Sequence, residues 1–383
     1  MFLRQTKTMT PPASGTAPAT TAHGRLTINL GAIAANHDIL SRKVGPACQL
    51  AGVVKANSYG TGLDRVAPTL FARGCRRFFV ATPAEALTLR QILPLAEIAV
   101  LGGGLPEARD DYIRYQIEPV LNSLHDIALW REAARQIDKP LPAIIHLDTG
   151  MNRLGLAADE ARTLIADPAL RRGLDIILVM SHFACADEKY HPLTQRQYEC
   201  FADFARHFPQ ARKSLANSSG IFRHQDYHFD MVRPGMAIYG LNPTPEAPNP
   251  MQLVVTLEAR ILQTRTLKKG ETIGYSATHI FNAPALTATV ALGYADGFHR
   301  AHSGKAKLYW QGIPCPVVGR VSMDLVTVDL SHLQAPLPQA GDWFEVLGPH
   351  QSADQLAESA GTIGYEVLTN LGTRYPRIYR EAL

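Results

Sequence analysis

The sequence has little of what marks membrane, nucleic-acid-binding or metal-binding chains. No apolar run is long enough to cross a bilayer, so a membrane role is not expected. No basic block is interleaved with aromatics, and the formal charge is a mild +4, which argues against nucleic acid as a partner. There is no CxxC pair. The five cysteines (Cys48, Cys75, Cys185, Cys200, Cys315) are scattered, with no histidine at metal-ligand spacing, so no metal is expected. An odd, dispersed count fits reduced, mostly buried thiols and a cytoplasmic location. GxGxxG is absent after the first strand candidate, which weakens an open dinucleotide-binding sheet. Residues 1–24 lack any acidic residue and any apolar signal-like core, and their Thr, Ala and Pro content reads as a disordered tail.

What remains is a soluble globular composition, 46% hydrophobic and 19% charged, over 383 residues, which is long for one core and predicts two domains. From residue 25 to 248 strand-like and helix-like stretches alternate. Strand candidates end near Lys55, Thr82, Leu101, Leu121, Asp148, Ser181, Asn217 and Arg233, with helical patterns such as AEALTLRQIL (84–93) and RQYECFADFARHF (196–208) between them. Eight such units predict an α/β fold, a (β/α)8 TIM-like barrel. After the Pro/Asn-rich GLNPTPEAPNP, residues 249–383 turn to short β-branched runs punctuated by glycine, which predicts a mostly β C-terminal domain. RLTINL (25–30) is expected to lend that domain a strand.

In a barrel of this kind the C-terminal rim of the strands carries the site. The polar residues at or just past the strand ends are Lys55, Tyr59, Arg153 beside Asp148, His182, Asn217, Ser218, Arg233 and Gly235. Each has an ordinary structural explanation. A strand-end lysine often snorkels to water, a lone histidine is more often core, an arginine can close a helix C-terminus, and a serine can be an N-cap. Their convergence on one rim favours chemistry. Ser218, the Tyr59 hydroxyl and backbone N–H groups of the Arg233–Met236 loop suit a phosphate. A lysine in a dry mouth near positive charge has a lowered pKa and becomes a nucleophile. Together these point to pyridoxal 5′-phosphate held covalently by Lys55.

The motifs VVKANSYG (53–60), DTGMNRLG (148–155), MSHFACAD (180–187), ANSSG (216–220), DMVRPGMAIYG (230–240), GYADGFHR (293–300) and GRVSMD (319–324) resemble those of the bacterial alanine racemases, pyridoxal-phosphate enzymes of fold type III, across residues 25–383. The resemblance implies interconversion of L- and D-alanine by two bases, supplying D-alanine for peptidoglycan. Lys55 would serve one face. Tyr294 would serve the other, reaching in from the partner subunit of a homodimer, although an aromatic beside Gly293 is ordinarily packing or turn chemistry. The resemblance further gives His182 a place near Tyr294 and Arg233, and phosphate binding to Tyr59, Ser218 and the Gly235–Met236 backbone. It gives Arg153 the ring hydroxyl and the substrate carboxylate, and the Met323 N–H that carboxylate as well.

The sequence departs from the family at three positions. His146 stands where many relatives have a carbamylated lysine, so Arg153 is expected to use a bound chloride, or failing that Asp148. Thr373 replaces the tyrosine of the family's SYRVPR stretch, and Ser322 replaces a cysteine. A racemase of broader specificity, acting on serine or larger side chains, is the nearest alternative. A decarboxylase on the same plan is opposed by SMD and RPGM, and a single-barrel carrier of the cofactor by the β-rich second half.

Overall fold

The computed structural model describes residues 22–381; the expected tail lies, up to residue 21, outside the described residues. The chain divides into two compact units. One comprises Ile28–Val255, Leu347–Thr369 and the C-terminal residues from Tyr379, and the other Thr256–Val346, Asn370–Ile378 and the N-terminal residues to Thr27.

The larger unit is built on strands too apolar to face water on either side. Phe78, Phe79 and Val80, Ile98, Ala99 and Val100, and Ala143, Ile144 and Ile145 are all fully buried. Such runs are characteristic of parallel strands covered by helices. All the pairings are parallel, running Gly52–Val53, Arg77–Val80, Glu97–Val100, Ile117–Leu121, Leu141–His146, Leu174–Met180, Arg212–Ser214, Met231–Val232 and finally Gln49–Leu50. The first and last of these nine pieces are one strand interrupted at Ala51, so eight strands close on themselves. Ala51 N–H donates to Val232 O at 2.9 Å across that closure. This is the expected barrel, and its strands end within three residues of the positions read from sequence. At the opposite rim buried Arg77 pairs with Glu97 and Glu118.

The smaller unit holds an antiparallel sheet in the order Ala285–Val290, Val326–Asp329, Ile313–Val318, Lys307–Trp310, Trp343–Leu347, Val255–Leu267, Gly24–Asn29 and Arg377–Arg380. Ala285–Val290 also pairs with Val255–Leu267. The RLTINL stretch does supply one of its strands. The chain is not continuous within this unit: Leu347–Thr369, with helices Ala353–Ala360 and Gly364–Thr369, belongs to the barrel unit. All five cysteines are free, but only Cys75 and Cys315 are buried. Cys200 lies on the solvent side of an amphipathic helix, where helical period decides burial and residue type does not.

Candidate active site

The C-terminal rim of the barrel encloses a cavity of about 570 Å³. Lys55, Tyr59, Arg153, His182, Asn217, Ser218, Arg233, Gly235 and Met236 all line it. The sequence placed these nine together, and the barrel brings them together.

Lys55 is presented by an unusual turn. Ala56, Asn57, Ser58 and Tyr59 have φ between 52° and 54°, a left-handed run of four residues with side chains. Each such residue costs about 1–2 kcal/mol, so the turn persists only where other bonds over-determine it. Glu85 provides one, accepting from Ala56 N–H at 2.6 Å with one oxygen and from Ala81 N–H at 2.8 Å with the other. Glu85 also completes the capping box with Thr82 that starts helix Pro83–Ile92. Asn57 Oδ1 accepts from Leu63 N–H at 2.8 Å on the far side. Gly60 follows at φ 80°, where an added Cβ would lie 2.3 Å from Leu368 O. Burial and then Arg153 lower the Lys55 pKa, with Glu85 opposing. The amine is thereby easier to deprotonate, as a nucleophile or base requires.

Tyr59 stacks on Tyr239, centroids 4.5 Å apart, and Tyr239 donates to Val53 O at 2.9 Å. The Tyr59 hydroxyl occupies the space above Gly235: a Cβ there would lie 2.2 Å from it. Burial pushes the Tyr59 pKa up to about 12, so the group is a hydrogen-bond donor at neutral pH. Ser218 Oγ accepts from Gly235 N–H at 3.1 Å and Ala237 N–H at 3.2 Å. Asn217 caps helix Ser218–Arg223 by accepting from Gly220 N–H at 3.0 Å. The first N–H groups of that helix have no carbonyl within it to receive them. Hydroxyls and unsatisfied N–H groups at one edge of a cationic cavity fit a phosphate.

Arg233 is buried, and burial lowers its pKa. Its guanidinium donates to Ser214 Oγ, to Ser181 O and, at 3.3 Å, to His182 Nδ1. His182 therefore accepts at Nδ1 and carries its proton on Nε2. Burial, then Arg233, hold it well below its ordinary pKa. The positive charge of this pair thus belongs to Arg233, and the histidine is neutral. With no carboxylate among the described residues paired to Arg233, the donor set suits the unprotonated ring nitrogen of a pyridine.

His146 also lines the cavity. Its Nδ1 lies 2.7 Å from Asn122 Oδ1, while Asn122 Nδ2 donates to Leu101 O and Val120 O. Those two carbonyls fix the amide, so His146 donates from Nδ1. Burial first, then Arg233, bring its pKa down to about 4. Arg153 is exposed and has no hydrogen bond or ion pair among the described residues. Asp148 Oδ1 is committed to the N–H groups of Gly150, Met151 and Asn152.

Tyr294 and Met323 lie in the smaller unit, 45% and 53% exposed. Their loops are bonded together: Tyr294 N–H donates to Ser322 O at 3.1 Å and Ala295 N–H to Met323 O at 3.0 Å. Thr373 also lies in that unit. The cavity has a tyrosine that sequence reading missed. Tyr365, on helix Gly364–Thr369, lines it, 6.0 Å from Tyr59, and donates to Met236 Sδ. Its signal was the YEVL stretch, overlooked because it lies beyond the linker. Cys185, Glu188 and His191 bring ligand atoms within 4.8 Å of one another.

With the geometry in view, likeness to known proteins becomes informative. "Alanine racemase, N-terminal domain" matches residues 28–243 and "Alanine racemase, C-terminal domain" matches residues 254–379. An alanine racemase of Acidiphilium cryptum is 48% identical over 359 residues, 94% of this chain and 99% of the relative. One from Rhodospirillum rubrum is 46% identical over 355 residues, 92% and 95% of the two chains. Among solved structures, alanine racemase from Bartonella henselae with covalently bound pyridoxal phosphate superposes at a TM-score of 0.91, with 40% identity over 94% of this chain and 100% of that one.

The Tyr59–Gly235 contact gives a direct test of the phosphate edge. Gly235→Ala forces the tyrosine aside, an overpacking cost of about 1–3 kcal/mol. Affinity for pyridoxal phosphate, read by absorbance titration, is expected to fall roughly tenfold to a hundredfold. Unchanged affinity would remove the phosphate from this edge.

Proposed function

From the premise that this chain belongs to the alanine racemase family, we propose that it interconverts L- and D-alanine with two bases and pyridoxal 5′-phosphate, as a homodimer. The observation that carries the reading is Lys55, an amine of lowered pKa in the cationic barrel cavity. When bound, the cofactor withdraws electrons and acidifies the substrate's α-C–H.

The residues divide the remaining work. Lys55 Nζ would hold the cofactor covalently and, freed by substrate, exchange a proton on one face. Tyr59, Ser218 and the Gly235–Met236 backbone would hold the phosphate, with Tyr365 beside them and Asn217 shaping the Ser218 turn. Arg233 would face the ring nitrogen with a hydrogen bond and a full charge, limiting the electron sink and with it side reactions. Arg153 would hold the ring hydroxyl and the substrate carboxylate, and Met323 N–H that carboxylate. Tyr294 of the second chain would exchange the proton on the opposite face. Its exposure, on a loop bonded to the one that carries Ser322 and Met323, supports a role in reaching outward. Its phenol, ordinarily a weak base near neutrality, would need the field of Arg233, relayed through neutral His182. D-alanine made in this way would supply peptidoglycan.

Chloride is the proposed counter-group for Arg153. No carboxylate among the described residues pairs with that guanidinium, Asp148 turns its Oδ1 to its own loop, and His146 is neutral. Replacing chloride by a bulky anion at constant ionic strength is expected to lower activity several-fold, and chloride to restore it. His146→Lys with bicarbonate is expected to weaken the requirement. Activity indifferent to chloride would leave the His146 Nε2 lone pair as the acceptor for Arg153.

Tyr294→Phe is expected to slow racemisation by roughly 10²–10⁴-fold, the usual worth of a positioned base. Solvent deuterium should still enter from the Lys55 face, so one enantiomer takes up deuterium and the other does not. Equal exchange from both enantiomers in that variant would contradict two distinct bases.

A further inference from the structure

The segment after strand Leu174–Met180 makes two reverse turns that meet at Glu188, and His191 then caps helix Pro192–Ala205. Glu188 N–H donates to Cys185 O at 3.1 Å, His191 N–H to Glu188 O at 3.5 Å and Thr194 N–H to His191 O at 3.1 Å. These turns fold the segment so that the ligand atoms of Cys185, Glu188 and His191 converge within 4.8 Å of one another. We propose that these three side chains form a zinc-type cation site whose fourth position is open to solvent.

The donor set decides the class of metal. A thiol, an imidazole and one carboxylate suit a borderline-soft ion such as zinc, whereas magnesium and calcium require several oxygens. Cys185 and His191 are half-buried and Glu188 is exposed, so a cation can arrive from solvent. The backbone between the first two ligands is already fixed. Arg223 donates from Nε to Ala186 O and from Nη2 to Asp187 O, each at 2.6 Å. Burial, Glu188 and Asp187 all hold the Cys185 thiol protonated. A cation reverses the effect of those two acids: the S–H bond breaks, sulfur bonds the metal and the proton goes to solvent.

Ligation has one visible consequence. His191 Nδ1 now accepts from Leu193 N–H at 3.2 Å, capping helix Pro192–Ala205. Binding through Nδ1 takes that lone pair, and binding through Nε2 puts a proton on Nδ1, so the cap is released either way. The site begins three residues beyond His182, so an occupied site would also clamp the segment that carries this histidine.

Cobalt(II) and zinc are the probes, with the full-length holoenzyme. One equivalent of cobalt is expected to give a thiolate-to-metal absorption band that zinc displaces, with faster amide exchange at Leu193. Cys185→Ser should abolish the band and weaken zinc binding about 100-fold or more, and Glu188→Gln about tenfold, since even indirect ligand partners are worth 10–100-fold. Cys200→Ser should change neither. Absence of the band, its survival in Cys185→Ser, or zinc affinity untouched by both ligand substitutions would each overturn the site.

Discussion

The left-handed turn from Ala56 to Tyr59 is the constraint on which the site depends. Four side-chain-bearing residues at positive φ cost about 4–8 kcal/mol together. That is comparable to the net stability of many whole domains. What the turn achieves is to aim Lys55 and Tyr59 into one cavity from a single strand end. Its support comes from elsewhere: Glu85 on the next βα unit, Asn57 bonding forward to Leu63, and the Gly60 position against Leu368. The barrel supplies the rigidity that lets strain persist at a functional site.

Electrostatics then follow from which acids are already engaged. Lys55, Arg153 and Arg233 face the cavity, while Glu85 and Asp148, the carboxylates whose charge reaches Lys55 and His146, accept from backbone N–H groups. His146 and His182 are held neutral by burial and by these cations. The result is a positive cavity with graded proton affinities, suited to a doubly anionic phosphate and a carboxylate. Neutral His182 can transmit the influence of Arg233 through a hydrogen bond without adding a charge of its own.

Much of the barrel and its rim is legible in the sequence. Parallel barrel strands are nearly continuous apolar runs, so the pattern of residues alone locates their ends and gathers the polar groups that follow them. Lys55, Ser218 and Arg233 are recoverable because each steps off such a run. The support is not. Glu85 reads as an ordinary capping-box residue, and nothing local reveals that its second oxygen holds the lysine turn. Four consecutive positive φ values have no signature when the residues are Ala, Asn, Ser and Tyr. Tyr365 is hidden because the chain returns to the barrel unit after the β segments. Cys185, Glu188 and His191 escape notice because their spacing becomes a cluster only when two turns meet at Glu188. Tyr294 and Met323 are legible from resemblance alone, since a strand-end aromatic beside glycine ordinarily signals packing.

Chemical trapping of the Lys55 amine tests the central claim most directly. The holoenzyme is reduced with borohydride, digested, and its peptides are mapped by mass. The account predicts one modified site per chain, with the pyridoxyl group on Lys55 in the KANSYG segment, and none in Lys55→Ala. Modification of a different lysine in the unaltered protein, or of none, would contradict it.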